Sequence, residues 1–257
     1  YTSTTIQHMN MLRLEDRKKM GQNMTPSSLS DRMASLFTPT SEPARILDPA
    51  AGTGELLLAY RRNHPNQLTE YHGWDADPNM LPVAQTNLPE IHTQTRSLFT
   101  PIPFNLQRTF DRIIGNPPYF EVKRNNPELS GCTLETAAEK GRLNIYALFF
   151  EYALSLLKTG GELVFLVPPS MNNGAYFSLT RKHILTHSII AHIEILRDNT
   201  LFPEALTSVQ IIKLVKTEPD YEHNKQASQK WLVDFNELNP TKNVTLPLIF
   251  TDNHQII

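Results

Sequence analysis

The sequence predicts an α/β fold, a mostly parallel sheet with helices on both faces, and three observations point to it. Short apolar runs alternate with longer segments of helical period, the signature of successive strand–helix–strand units. The longest apolar runs are strand-sized, which leaves no candidate membrane span or signal peptide and predicts a soluble, cytoplasmic protein. At 257 residues and 40% hydrophobic content, the chain can bury one sizeable core, within the range of a single large α/β domain.

In chain order, strands are expected near 45–48, 71–75, 91–95, 110–115, 162–167, 189–195 and 208–215. A helix is expected over Ser27 to Phe37, with Thr25 as N-cap and Pro26 at its first position. Another follows the glycine-containing turn before Leu56, and a third begins at Pro78. The clearest helix is Leu143 to Leu157: Ile145, Leu148, Phe149, Tyr152, Leu156 and Leu157 recur on one side, and Gly160-Gly161 is expected to stop it. Phe120 to Arg142 reads as a polar loop, of the kind that orders when a substrate arrives. After Val215, the patches Trp231 to Phe235 and Leu246 to Phe250 read as extra strands or the start of a linker.

Chemistry concentrates in Asn116-Pro117-Pro118-Tyr119, directly after the buried-strand run Phe110 to Gly115. Asparagine supplies a side-chain carbonyl, the prolines stiffen the turn and leave the Pro117 carbonyl free of local competition, and tyrosine adds a flat face. A planar amino group held between two acceptors and stacked on a ring is what methylation of an exocyclic nucleobase nitrogen requires.

A second turn offers a place for the methyl donor. The short strand Arg45 to Leu47 runs into Asp48-Pro49-Ala50-Ala51-Gly52-Thr53-Gly54-Glu55. Its glycines allow close backbone approach to a ligand, and the following helix start offers unpaired N–H groups. A dinucleotide loop is disfavoured, because Leu57 stands where the third glycine of that fingerprint belongs. Asp48 would repel a pyrophosphate and suits the sulfonium and ammonium of S-adenosyl-L-methionine. Asp75, in Asp75-Ala76-Asp77-Pro78 at the end of the next apolar segment, is placed to take both ribose hydroxyls. Asp77 serves equally as a helix cap or a cofactor contact.

Gly21, Thr25-Pro26, the Asp48 to Gly54 loop, Asp75 and the Asn116 to Tyr119 tetrapeptide together resemble, in that order, the motifs of the gamma-group DNA adenine-N6 methyltransferases of bacterial restriction-modification systems. The resemblance runs from about Gly21 to Lys216. It implies the class I S-adenosylmethionine-dependent methyltransferase fold, seven strands with the last antiparallel. It also implies roles beyond the reach of spacing. Thr25 and Pro26 would close over the methionine end of the cofactor, Phe202 of Leu201-Phe202-Pro203 would stack on the extruded base, and Pro49, Ala50, Gly52, Gly54, Ala76, Leu98, Asn116 and Pro118 would line the cofactor pocket. Without the resemblance, Phe202 reads as a core aromatic.

The chain departs from that pattern in two places. Where many relatives place an aspartate against the cofactor's adenine, this sequence reads Arg96-Ser97-Leu98-Phe99, so Ser97 is the candidate substitute. Where several show Asp-Leu-Tyr, it reads Asn144-Ile145-Tyr146. On the family's plan, residues 1–40 form an N-terminal helical segment with the methionine-binding motif, 41–217 the catalytic core, and 218–257 an extension towards a target-recognition domain. The chain starts at Tyr1 and stops at Ile257, about where such a domain would begin, and is therefore expected to be part of a longer protein.

Charge bears on partners. A formal net charge of −2 and no long basic run argue against strong general DNA affinity from this segment alone. Lys123 and Arg124 are candidates to flank a DNA channel, while Arg181, Lys182 and His183, like Arg17 to Lys19, read as solvated faces. One cysteine, Cys132, excludes an internal disulfide, and nine scattered histidines predict no metal. Duplex DNA, with a restriction endonuclease partner or fusion, is the expected company. The rival readings are methylation of protein glutamine or of RNA bases, and a non-catalytic cofactor-binding subunit.

Overall fold

The computed structural model describes residues 2–11, 25–138, 143–172, 174–196 and 209–228. Helix α1 (Ser3–Met11) precedes α2 (Ser27–Ser35). Strand β1 (Ala44–Asp48) leads through the glycine turn into α3 (Glu55–Asn63), followed by β2 (Thr69–Asp75), α4 (Leu81–Asn87), β3 (His92–Thr95) and β4 (Phe110–Gly115). A two-stranded ribbon, β5 (Glu121–Val122) with β6 (Leu143–Asn144), brackets the long loop. Then come α5 (Ile145–Leu156), β7 (Leu157–Val167), α6 (Ser178–His187), β8 (Ser188–Leu196), β9 (Val209–Lys216) and a short helix α7 over 221–228.

Seven strands form one sheet in the order β3-β2-β1-β4-β7-β9-β8. The last strand, β9, runs antiparallel to both neighbours, and the other pairings are parallel. Strand side chains alternate between two cores, as the two-residue period of a strand requires. Ile46, Ile114, Val164 and Leu166 face a cluster with α2, α3 and α4, whereas Leu47, Ile113, Leu163 and Phe165 face one with α5 and α6. Burial on both faces explains the near-continuous apolar runs. The helix opening α1 is tied to the glycine turn: Thr2 donates its N–H to Glu55 Oε1 (2.9 Å), and Asn87 donates to the Thr5 hydroxyl and the Thr53 carbonyl.

Several boundaries differ from expectation. Gly160-Gly161 does not stop α5, which ends at Leu156, four residues earlier. The N–H groups of Arg108 and Thr109 take the Ser155 and Leu156 carbonyls instead, and the glycines sit in a bulge of β7, with Gly160 at φ 80. Pro78 precedes α4 in a turn that Asp77 holds, its Oδ1 accepting from Asn79 N–H at 3.0 Å. Thr25 is not the N-cap of α2. Pro26 occupies that position without a side-chain cap, which frees the Thr25 hydroxyl for another partner. The loop after Phe120 is built rather than shapeless: it carries two short 3-10 turns, and the buried Glu151 carboxylate accepts from the N–H groups of Glu135 and Thr136, both at 2.8 Å. Among the described residues no helix is long and apolar enough to cross a membrane.

Candidate active site

Because β1, β2, β3 and β4 are parallel neighbours, their carboxyl ends converge on one edge of the sheet, where ligands of such folds bind. A cavity of about 520 Å³ lies there. It is lined by Thr25, Asp48, Pro49, Ala50, Gly52, Asp75, Ala76, Ser97, Leu98, Asn116 and Pro118, all singled out from the sequence. The glycine turn and the tetrapeptide thus share one space. Pro26, Gly54, Pro117 and Tyr119 stand outside the lining, and Phe202 lies outside the described residues.

The glycine turn is pinned to both strands it bridges. Ala51 N–H donates to the Trp74 carbonyl (2.8 Å), and Gly52 N–H to Asp75 Oδ2 (2.8 Å). Gly54 takes φ 81 at the head of α3, a conformation that favours glycine. Asp48 is buried, and its Oδ1 accepts from Ala50 N–H at 3.0 Å. Burial pushes its carboxyl up to about 8; the Ala50 hydrogen bond opposes the shift and the nearby Asp75 adds to it. Burial likewise raises Asp75, against hydrogen bonds from the Asp77 and Gly52 N–H groups. A buried, uncompensated carboxyl facing a cavity fits a cationic ligand group, which would favour its charged form.

At the end of β4, Asn116 is held from both sides. Its Nδ2 donates to the hydroxyl of buried Thr25 (3.1 Å), and its Oδ1 accepts from the Tyr119 hydroxyl (2.5 Å), which also lies 2.9 Å from the Leu166 carbonyl. The Tyr119 ring is half-buried and meets Tyr146 edge-on, with centroids 5.9 Å apart. Ser97 accepts from Phe99 N–H at 3.2 Å, so its hydroxyl proton remains available for a ligand. Arg96 beside it packs over Trp74 and donates to Tyr152 and Pro101.

Sequence reasoning missed Glu55, Phe120 and Phe149, which also line the cavity. Phe149 belongs to the apolar stripe of α5 and looks like core in sequence; Phe120 directly follows the tetrapeptide and is 39% exposed, a signal that adjacency alone would have carried. Arg181, Lys182 and His183 do not form one solvated face. Arg181 is buried and donates to the Met171 and Gly174 carbonyls, while only Lys182 is exposed. Lys123 and Arg124 are exposed. Among the described residues no group of three or more His, Cys, Asp or Glu is placed to hold a metal.

The fold is that of the class I S-adenosylmethionine-dependent methyltransferases. A protein from Listeria monocytogenes, described as a candidate of that class, superposes with a TM-score of 0.68 at 23% identity, covering 84% of this chain and 66% of the other. The chain belongs to the Eco57I restriction-modification methylase family, whose model matches residues 57–202. It is 29% identical over 212 residues to the type II methyltransferase M.BsuBI of Bacillus subtilis, covering 71% of this chain and 40% of that protein. Identity to the type II methyltransferase M.PstI of Providencia stuartii is 25% over 256 residues, covering 88% of this chain and 48% of the relative. The chain therefore spans about half the length of the curated relatives it matches, or less.

Proposed function

We propose that this chain is the catalytic part of a bacterial restriction-modification enzyme that transfers a methyl group from S-adenosyl-L-methionine to the N6 amino group of an adenine flipped out of duplex DNA, as the gamma group does. The observation that carries this reading is that Asn116 lines the same cavity as Asp48, Gly52 and Asp75. On this reading residues 41–217 are the catalytic core, 218–257 lead towards a target-recognition domain, and the cytoplasm is where the protein meets its DNA.

The bound cofactor supplies an electrophilic methyl group. Asp48 would face its cationic end, Asp75 its ribose, and Ser97 with Leu98 its adenine. The adenine amine is a weak nucleophile because its lone pair is delocalised into the ring. Acceptors from Asn116 Oδ1 and the Pro117 carbonyl would hold its two N–H bonds out of plane and aim the lone pair at the methyl group. The same acceptors stabilise the positive charge that develops on nitrogen, a preorganised electrostatic effect. No strong base is needed before attack, since the proton becomes acidic only as the new bond forms. Extruding the base costs a few kcal/mol. Stacking on Tyr119 and Phe202 would return roughly 1–3 kcal/mol per ring.

The test is methylation by the full-length protein with labelled cofactor, offered duplex DNA, RNA or release factor, followed by Asn116→Ala. Label in DNA at adenine N6, lost in the variant with cofactor affinity retained, is the expected result. Label only in RNA or protein, or a parallel loss of affinity and rate, would refute the reading.

A further inference from the structure

We infer that Asn87 is a positioning residue of the cofactor site, joining helix α1 to the glycine turn so that docking of α1 and binding of the cofactor reinforce each other. The inference deepens the proposed function and rests on its cofactor assignment.

Asn87 closes α4, and its amide meets two other elements at once. Nδ2 donates to the Thr53 carbonyl in the glycine turn (2.9 Å) and to the Thr5 hydroxyl on α1 (3.0 Å), while Oδ1 accepts from the Thr2 hydroxyl (2.7 Å). One helical turn earlier, Ala84 lies against the same loop: a Cβ placed on Gly54 would come within 3.3 Å of Ala84 Cβ. The peptide between Thr53 and Gly54 is thereby held at both ends, its carbonyl by Asn87 and its N–H by the Ala51 carbonyl (2.8 Å). Gly52, Thr53 and Glu55 line the cavity, so whatever fixes this peptide fixes part of the cavity wall.

Helix α1 depends on the same groups. Thr2 caps it, the hydroxyl accepting from Thr5 N–H (3.1 Å), and Thr2 N–H goes to Glu55 Oε1 (2.9 Å). With nine residues α1 is too short to be stable alone, and among its described side chains only Thr5 is buried. It therefore belongs to the low-stability end of the fold, held by polar bonds to groups around the cavity. A ligand that steadies the glycine turn steadies those partners, and by linkage a docked α1 raises ligand affinity by the same factor.

Calorimetry and amide hydrogen exchange on the full-length protein, with S-adenosyl-L-homocysteine as the ligand, decide the matter. In wild type, saturating ligand is expected to slow exchange in α1 about tenfold. Asn87→Ala should lower affinity about tenfold and abolish the ligand's effect on α1. Thr5→Val leaves the bond from Asn87 to Thr53 in place; it should speed exchange in α1 and weaken affinity about threefold. Asn172→Ala breaks a buried amide pair with Gln210 elsewhere in the fold, and should lower Tm while leaving affinity and α1 exchange as in wild type. Exchange in α1 that ignores bound ligand, affinity within about twofold of wild type in Asn87→Ala, or an equal loss of affinity in Asn172→Ala overturns the inference. Should Asn87→Ala not fold, wild type and Thr5→Val decide, and unchanged affinity in a Thr5→Val protein with faster α1 exchange overturns it. Ligand that binds without touching α1 sinks the inference alone; wild type that binds no ligand refutes the cofactor assignment, and the inference falls with it.

Discussion

Asp48 and Gly115 stand side by side at the ends of β1 and β4: a Cβ placed on Gly115 would lie 3.6 Å from Asp48 Oδ1 and only 2.9 Å from a ring carbon of Phe165. That closeness brings the tetrapeptide up against the glycine turn. It also explains why the residue preceding Asn116 carries no side chain, since Phe165 is fully buried and has nowhere to retreat.

Gly115→Ala is therefore expected to overpack the junction. The cost should be about 1–3 kcal/mol of stability, read by denaturant unfolding. Cofactor affinity should fall as well, because the displaced strand end carries Asn116 and abuts Asp48. Unchanged affinity in a measurably destabilised variant would show that the two turns are not mechanically joined.

On the proposed function, Asp48 is expected to make cofactor binding depend on pH. Its carboxyl, raised from 3.8 to about 8, is protonated in the cofactor-free protein at neutral pH, and a cationic ligand favours the ionised form. Affinity is thus expected to weaken as pH falls below about 8, with proton release on binding measurable by calorimetry in buffers of different ionisation heat. The sign for stability is opposite. A raised carboxyl stabilises the cofactor-free fold at low pH and loses that contribution as pH rises towards about 8. Asp48→Asn should consequently unfold at a higher temperature than wild type at pH 8–9, relative to the same comparison near pH 5. It should also bind cofactor more weakly, with no pH slope between.

Asn172 and Gln210 form a reciprocal amide pair, Nδ2 to Oε1 and Nε2 to Oδ1 at 2.8 Å each, with both side chains fully buried. It fastens the turn after β7 to the start of β9. Truncating one partner, as in Asn172→Ala, leaves the other amide unsatisfied and is expected to cost about 1–3 kcal/mol. Replacing both by leucine should recover most of that loss, and a double variant no better than the single one would deny the pair its role.

His183 and His187 on α6 lie with ring centroids 4.4 Å apart and planes tilted by 40°, and burial lowers both to about 4, with Lys216 adding to the shift. A neutral imidazole in the fold that would be protonated when unfolded withdraws stability as pH falls through the window from 6.5 to about 4. His183→Gln and His187→Gln should therefore raise Tm relative to wild type at pH 5 and leave it nearly unchanged at pH 8. An equal change at both values would mean that packing, rather than charge, is what the histidines contribute.

Much of this molecule is legible in one dimension. All seven strands of the large sheet fall where the sequence predicted them; β1, β4 and β9 are buried along nearly their whole length, whereas β3 (His92–Thr95), at the edge, is mostly exposed. The glycine turn, Asp75 and the tetrapeptide were legible as well: each sits where a strand ends, and its chemistry depends on residue types that are contiguous in the chain. The mistaken boundaries share a cause too. Gly160-Gly161 looked like a helix stop because local propensity cannot see that Arg108 and Thr109, just before the neighbouring strand β4, already take the carbonyls at the end of α5.

The amino-acid order by itself determined the alternation of elements, the two turns that share the cavity, and the restriction-modification methylase family. Only the tertiary structure decided that Thr25 meets Asn116 across 91 residues, that Tyr119 turns its hydroxyl inward, and that Phe149, a member of the core, also lines the cavity. The physical reason is the strand order: placing β1 between β2 and β4, and β7 next to β4, creates contacts between distant residues that no local period or propensity encodes.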